Sequence, residues 1–249
     1  MKVIILAGGK GTRLKPFTEA LPKPMLPIVS RPLLEIIIDY LKRCGFDEVI
    51  LALSHLKGNI VNHFEDGRRF GVKITYSEEK FPLGTAGGVK KAASGIKNTF
   101  VVALGDGLAD IDYRTLLEYH RGLNATGTMV VFEQKLRIPY GVLTLDLDRE
   151  NSILNIVETP ELTLLVNTGI TVLEPKSLDY VADGEFLRMP DLFLRLKEAG
   201  EKVVAYHHKG NWIDIGQDIE HYLKVNQQIE ERNTTFDQTL TQVIFGTDQ

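Results

Sequence analysis

Cysteine is almost missing from the 249 residues, with Cys44 standing alone. One thiol excludes an internal disulfide and any multi-cysteine zinc site, and makes a reducing, cytoplasmic compartment the simplest expectation. Long apolar runs are missing too. The N-terminal run Val3–Ala7 stops at Gly8-Gly9, short of the ~7–15 residues of a secretory apolar segment and of the ~18 needed to span a bilayer. A membrane partner is therefore not expected. Nor is there a basic surplus: 29 Lys and Arg against 33 Asp and Glu leave a charge of −4, which argues against a nucleic-acid partner. The six histidines form no His-Glu-x-x-His pair and have no cysteine partner, so the usual zinc patterns are excluded. Repeats, low-complexity tracts and Ser/Gly linkers are also absent. Only Glu230 to Gln249 is polar, Thr/Gln-rich and weakly periodic, and it reads as a surface tail.

What is present is the composition of an ordered protein, 43% hydrophobic and 25% charged. Lys2–Leu6 reads as a buried strand ending in glycines. Pro32 to Cys44 carries Leu33, Leu34, Ile37, Ile38 and Leu41, the stripe of an amphipathic helix. Strands at Glu48–Leu53, Val72–Tyr76 and Phe100–Leu104 alternate with helices at Gly58–Phe64 and Gly84–Ala93. That alternation predicts an α/β fold with a doubly wound, mostly parallel sheet. The second half is richer in strands: Thr128–Phe132, Val142–Leu147, Ile153–Val157, Val166–Leu173 and Lys202–Tyr206. Helices follow at Asp191–Glu198 and Ile219–Ile229. No linker separates the halves, so residues 1–249 read as one domain with two lobes, about 1–125 and about 126–230, and the polar tail.

Ligands of open α/β sheets sit at the carboxyl ends of the strands. The loop after Leu6, the loop after Tyr76 and the Gly105-Asp106 turn should therefore meet in one crevice. The first of these is Gly8-Gly9-Lys10-Gly11-Thr12-Arg13-Leu14. Glycines let backbone N–H groups approach phosphate oxygens, and Lys10 and Arg13 add cations. A P-loop is excluded, because five residues after Gly8 stands Arg13 and not glycine. A dinucleotide fingerprint beginning at Gly9 lacks its third glycine, since Leu14 stands there. Further on, Pro22 and Pro24 flank Lys23 and predict an extended, stiff segment around it.

GGKGTRLKPFT with LPKPMLP resembles the sugar-1-phosphate nucleotidylyltransferases, closest in look to the mannose-1-phosphate guanylyltransferase-like members. The resemblance covers nearly the whole chain. Pro82-Leu83-Gly84-Thr85-Ala86-Gly87, Leu104-Gly105-Asp106, Tyr140-Gly141-Val142, Asn167-Thr168-Gly169-Ile170 and Trp212-Ile213-Asp214-Ile215-Gly216 follow in the family's order. It implies a Rossmann-like fold and a reaction joining a nucleoside triphosphate to a sugar 1-phosphate, with release of pyrophosphate. By resemblance Leu6, Ala7, Gly8, Gly9, Gly11 and Thr12 would hold the nucleotide, together with Glu79, Gly84 and Thr85. Arg13 would meet the triphosphate and Lys23 the charge developing at the α-phosphate. Gly141, Glu158 and Asn167 would bind the sugar, and Asp106 and Asp214 would hold Mg²⁺. The first lobe would then be the nucleotide lobe and the second the sugar lobe.

GTP is the expected nucleotide. A Glu79 carboxylate only accepts hydrogen bonds, so it suits the adjacent N1–H and N2–H donors of guanine. CTP is next, and uridylyl or thymidylyl transfer to glucose 1-phosphate or an N-acetylated sugar phosphate stays open; mannose- or manno-heptose-like phosphates are expected. Two departures bear on the sugar side. Glu158-Thr159-Pro160 stands where the family commonly has Glu-Lys-Pro, and Gly216-Gln217 where it has Gly-Thr. The missing lysine raises a non-catalytic regulator as a rival. The pair Asp110-x-Asp112 raises a glycosyltransferase, although Asp112 reads better as the N-cap of a helix over Tyr113–Tyr119. His207-His208 reads as a solvated pair and Trp212 as a packing residue. No hexapeptide-like repeat follows Asn226, so an appended acyltransferase β-helix is not expected. Apolar positions in the second lobe leave a homodimer open.

Overall fold

The computed structural model describes residues 1–9, 11–54 and 56–246. In chain order the strands and helices are β1 (Lys2–Leu6), α1 (Phe17–Ala20), β2 (Pro27–Ile28), β3 (Arg31–Pro32), α2 (Leu33–Arg43), β4 (Glu48–Leu53) and α3 (Lys57–Phe64). Then come β5 (Lys73–Glu78), α4 (Gly84–Ala92), β6 (Phe100–Leu104), β7 (Gly107–Ala109), α5 (Tyr113–Gly122) and β8 (Gly127–Arg137). The second half adds β9 (Val142–Asp146), β10 (Ser152–Val157), β11 (Glu161–Leu173), α6 (Met189–Glu198), β12 (Val203–His208), β13 (Trp212–Asp214), α7 (Ile219–Glu230) and α8 (Gln238–Phe245).

Seven strands form one sheet in the order β12-β8-β11-β6-β1-β4-β5. β11 alone runs against its neighbours β6 and β8; the other pairings are parallel. The expected α/β, mostly parallel sheet is what the chain forms. Its apolar strands are continuous because helices cover both faces. Side chains alternate between the two sides. Val3 and Ile5 join one core with α2, α5, α7 and α8, while Ile4, Phe100 and Val102 join the other with α4 and α6. α2 buries Leu34, Ile38 and Leu41, and the chain leaves it through Gly45 at φ +90°, a conformation glycine adopts without a Cβ penalty.

Two expectations need correction here. The predicted polar tail contains α8. Asp237 caps it by accepting from the Leu240 N–H at 2.7 Å, and Leu240, Val243 and Ile244 are buried against the core. Three apolar residues at helical spacing behind a cap outweigh the Thr/Gln content around them. The strands predicted at Thr128–Phe132 and Val166–Leu173 also run further than expected. Beyond Phe132 and Val166 they continue as a two-stranded extension of the large sheet, Glu133–Arg137 against Glu161–Leu165, past the end of β12. Their charged residues hid the strand because cross-strand pairing in solvent tolerates charge, as in the Lys135–Glu161 pair at 3.1 Å.

Candidate active site

The loop after β1, the end of β4, the end of β5 and the turn after β6 do converge. The Ala7 N–H donates to the Ala52 carbonyl and the Gly105 N–H to the Leu6 carbonyl, each at 2.9 Å. The Ser54 hydroxyl donates to the Gly8 carbonyl, and a Cβ on Gly8 would lie 2.7 Å from Ser54 Oγ. Gly11 has φ +60°, and its carbonyl accepts from the Thr18 hydroxyl at 2.8 Å. A 3₁₀ turn over Thr12–Leu14 follows and buries Leu14. Gly8 and Gly11 are thus required by the protein's own packing. Gly9 is different, since a Cβ there would meet nothing within 4 Å; its backbone borders open space. Thr12 and Arg13 are exposed. Lys10 lies outside the described residues.

Lys23 is not in an extended segment. Pro22 is extended (φ −65°, ψ 147°), but Lys23 opens a 3₁₀ turn through Met25, closed by the Leu26 N–H to the Lys23 carbonyl at 3.1 Å. The turn carries the side chain inward, where it is 7% exposed. Its Nζ donates to Asp106 Oδ2 at 2.6 Å and stands 3.8 Å from Asp214 Oδ1. The two carboxylates come together through a two-stranded ladder, β7 against β13, in which Gly107 faces Asp214. The Ile215 N–H donates to the Asp106 carbonyl at 3.1 Å. Asp214 Oδ1 accepts from the Gly216 N–H at 2.8 Å, and its carbonyl accepts from His221 Nε2 at 2.9 Å.

Sequence reasoning passed over Gly216 as a functional position. A Cβ there would lie 1.4 Å from Lys23 Nζ, so the absent side chain makes the space the ammonium fills. The only sequence signal was that a glycine follows the Trp-x-Asp turn by two residues.

The two acidic residues after β7 do not join this cluster. Asp112 caps α5, accepting from the Arg114 and Thr115 N–H groups. Asp110 is buried and holds together the far end of the β7/β13 ladder. It accepts from the Asn211 N–H at 2.6 Å, Asn211 Nδ2 at 3.0 Å, the Asp237 N–H at 3.0 Å and His208 Nε2 at 3.1 Å. Burial pushes its carboxyl up, but those hydrogen bonds overcome this and hold it below the usual carboxylate range. His208, expected to be solvated, is 5% exposed. Trp212 packs against Phe132 as expected.

Of the residues expected to meet the nucleotide, Glu79 stays in the crevice. Its Oε2 accepts from the Leu83 N–H at 3.3 Å, while Oε1 lies against Gly88, where a Cβ would sit 2.4 Å away. Burial raises this carboxyl above its ordinary range. Gly84 (φ +70°) lets the chain pass the Leu187 carbonyl, which a Cβ would approach to 2.5 Å. The Thr85 hydroxyl accepts from the Met189 N–H at 2.7 Å, bracing α4 against α6.

Of the residues expected to bind the sugar, Gly141 and Glu158 are neighbours: a Cβ on Gly141 would lie 2.9 Å from Glu158 Oε1. Thr159 is exposed in the left-handed region at φ +43°, unusual for a β-branched residue. Asn167 accepts from the Gly169 N–H at 2.8 Å in a bulge of β11, and Gly169 packs on Leu104, just before the Asp106 turn. Among the described residues no hydrogen bond joins Gly141 or Glu158 to the Lys23 cluster.

The donor chemistry fits a divalent cation. Two carboxylates from distant parts of the chain already converge on one cation, the Lys23 ammonium. Mg²⁺ characteristically takes one or two carboxylates and completes its shell with phosphate and water. Among the described residues no group of three or more His, Cys, Asp or Glu side chains is placed to hold a metal, so phosphate and water would supply the remaining ligands.

The family model described as Nucleotidyl transferase matches residues 2–232. A Synechocystis sp. protein named UTP--glucose-1-phosphate uridylyltransferase is 39% identical over 236 residues, covering 87% of this chain and 60% of its own. The Candida albicans mannose-1-phosphate guanyltransferase is 32% identical over 223 residues, covering 87% of this chain and 61% of its own. The chain thus spans about three-fifths of the length of these curated relatives. The crystal structure of HddC from Yersinia pseudotuberculosis matches with a TM-score of 0.71 at 30% identity, covering 91% of this chain and 98% of that one. The same protein complexed with GMP-PN matches with a TM-score of 0.69 at 29% identity, with the same coverage. Together with the crevice built by the glycine loop, Lys23, Asp106 and Asp214, these matches lead to one conclusion: the chain belongs to the nucleotidyl transferase family.

Proposed function

We propose that the protein joins a nucleoside triphosphate to a sugar 1-phosphate, forming a nucleotide sugar and releasing pyrophosphate. The observation that carries this reading is Lys23, buried between Asp106 and Asp214 beside a glycine loop that leaves Gly9 open. A phosphate oxygen of the sugar attacks the α-phosphorus, and the bond to the β-phosphate oxygen breaks. Such chemistry needs positioned cations more than acids or bases. The Gly9 backbone and Arg13 take the triphosphate, and Lys23 stabilises charge at the α-phosphate. Asp106 and Asp214 hold Mg²⁺, which when bound neutralises phosphate charge. Gly141, Glu158 and Asn167 take the sugar hydroxyls. The intact cation and carboxylate set disfavours a non-catalytic regulator, and the structural roles of Asp110 and Asp112 disfavour a glycosyltransferase.

GTP is our preferred nucleotide, with a mannose- or manno-heptose-like phosphate. Glu79 supports it, as an acceptor kept in the crevice, and so do the guanylyl-transferring relative and the neighbour complexed with GMP-PN. The Synechocystis relative supports a second reading, UTP with glucose 1-phosphate. Pyrophosphate release with GTP, CTP, UTP and dTTP, each paired with a panel of sugar 1-phosphates, tests both. We expect the highest kcat/KM with GTP. Preference for UTP or dTTP refutes the Glu79 argument, and no release with any pair, from folded protein, refutes the reaction.

A further inference from the structure

Two carboxylates and one ammonium make up the cluster of Lys23, Asp106 and Asp214. Nζ of Lys23 lies 2.6 Å from Asp106 Oδ2 and 3.8 Å from Asp214 Oδ1. The lysine side chain is 8% exposed, whereas those of Asp106 and Asp214 are 35% and 29% exposed. The ammonium is therefore covered, while the carboxylates that hold it keep contact with solvent. Among the described residues no third carboxylate, histidine or cysteine is grouped with the pair.

Both ends of the lysine are set by the fold. Its backbone opens the Lys23–Met25 turn. Gly216 backs the far end, where a Cβ would lie 1.8 Å from Cε and 1.4 Å from Nζ. The stem starts beside the glycine loop, since a Cβ on Gly11 would lie 3.4 Å from Lys23 Cβ. Four rotatable carbons thus connect a fixed base near that loop to an ammonium on the carboxylates. Rotation about the side chain's own bonds carries the charge from one to the other.

With Lys23 in place the cluster has one negative charge over. A divalent cation turns that into one positive charge. A dication about 4–5 Å from an ammonium is repelled, even at the dielectric of bulk water, by enough to weaken its binding roughly twentyfold. A nucleotide phosphate reverses the balance. Its oxygens accept from Lys23 in place of Asp106, and they add negative charge for the metal.

We propose that the Lys23 ammonium and a divalent cation compete for Asp106 and Asp214, and that a nucleotide phosphate ends the competition by drawing Lys23 away. Metal and nucleotide then enter together. The second clause rests on the function proposed above, in which Lys23 meets the α-phosphate. By reciprocity the metal, once on the carboxylates, frees Lys23 for the phosphate.

The test is direct binding of Mn²⁺ to the full chain without sugar phosphate, with free Mn²⁺ read by electron paramagnetic resonance. Lys23→Met should bind one Mn²⁺ about twentyfold more tightly than wild type, or better. Adding Asp106→Asn to Lys23→Met should abolish that gain. Gly216→Ala keeps the lysine but pushes it off Asp106, so it should gain in the same direction; it decides the matter if circular dichroism shows Lys23→Met unfolded. Saturating GMP, UMP, CMP or dTMP, each with a single phosphate that chelates metal only weakly, should raise the wild-type Mn²⁺ affinity several-fold. Equal Mn²⁺ affinity in wild type and the folded variants overturns the competition, as does a gain that survives Asp106→Asn. No rise with any of the four nucleotides overturns its control by phosphate. No turnover is read, so a chain that shows the competition but never releases pyrophosphate refutes the proposed reaction alone.

Discussion

Substituting Gly216 by alanine should disable the site while leaving every charged group in place. Gly216 does not have a positive φ, so its backbone accepts a Cβ. The conflict is with Lys23, whose Nζ and Cε would lie 1.4 and 1.8 Å from the new atom. Ordinary contact needs ~3.5–4.0 Å, so the ammonium must retreat by about 2 Å. It then loses Asp106 Oδ2, now at 2.6 Å. If Lys23 works as a preorganised cation at the transition state, Gly216→Ala should lower kcat by about 10²–10³. Nucleotide affinity should change far less. Lys23 is buried and Asp106 about one-third exposed, so breaking their charged hydrogen bond should cost on the order of 1–2 kcal/mol. For a chain of this size that is a drop of about 2–8 °C in melting temperature.

Pyrophosphate release under saturating substrate gives kcat, and calorimetric titration with the nucleotide gives affinity. The decisive comparison is a cycle with Lys23→Ala. If both substitutions act through the Lys23 ammonium, Gly216→Ala in the Lys23→Ala background should have almost no further effect on kcat, a strong departure from additivity. Full additivity, or a Gly216→Ala enzyme within twofold of wild type, refutes the reasoning.

Asp106→Asn and Asp214→Asn should each raise the Mg²⁺ concentration needed for half-maximal activity, because each replaces an anionic oxygen ligand by a neutral one; an unchanged requirement in both variants removes the pair as the metal site. Glu79→Gln should melt higher than wild type at neutral pH. Burial raises the Glu79 carboxyl, so the group favours the folded state below its ordinary pKa and that contribution is lost as pH rises through the raised value. The advantage of glutamine should therefore shrink as pH falls through the raised value and be gone below the ordinary glutamate value of about 4.5, and melting curves across pH that show no such convergence contradict the burial argument.

Much of the fold was legible because it rests on local, repetitive signals. Val3–Ile5 and Phe100–Ala103 are apolar at every position because both sheet faces are covered. α2 declares itself by its stripe and its glycine exit. The failures have a different origin. α8 is a short helix whose three buried residues are diluted by Thr and Gln, and its stability comes from docking beside α2, with Arg31 donating to the Val243 carbonyl. Nothing within residues 230–249 announces that docking. The long ends of β8 and β11 likewise depend on each other across the chain, and neither has a buried face to impose alternation.

The site divides along the same line. Glycines, Lys23, Asp106 and Asp214 could be picked out because a particular chemistry needs those residue types near strand ends, and the structure brings the lysine and both carboxylates to one point. What could not be read was the means of bringing them there. The β7/β13 ladder joins segments about a hundred residues apart through three residue pairs, too few for any periodicity. Its far end is tied by Asp110, one of the Asp110-x-Asp112 pair that raised the glycosyltransferase reading. Four donors already point at Asp110 and hold it as an anion inside the protein. One of them, the Asp237 N–H, comes from the cap of the very helix whose sequence looked like a tail. A carboxylate with its acceptor positions filled has little left to offer a cation, whereas Asp106 and Asp214 are part-exposed and share one ammonium. The same residue type serves structure at one end of the ladder and, in the function we propose, chemistry at the other, and only the partners that tertiary contact supplies distinguish the two.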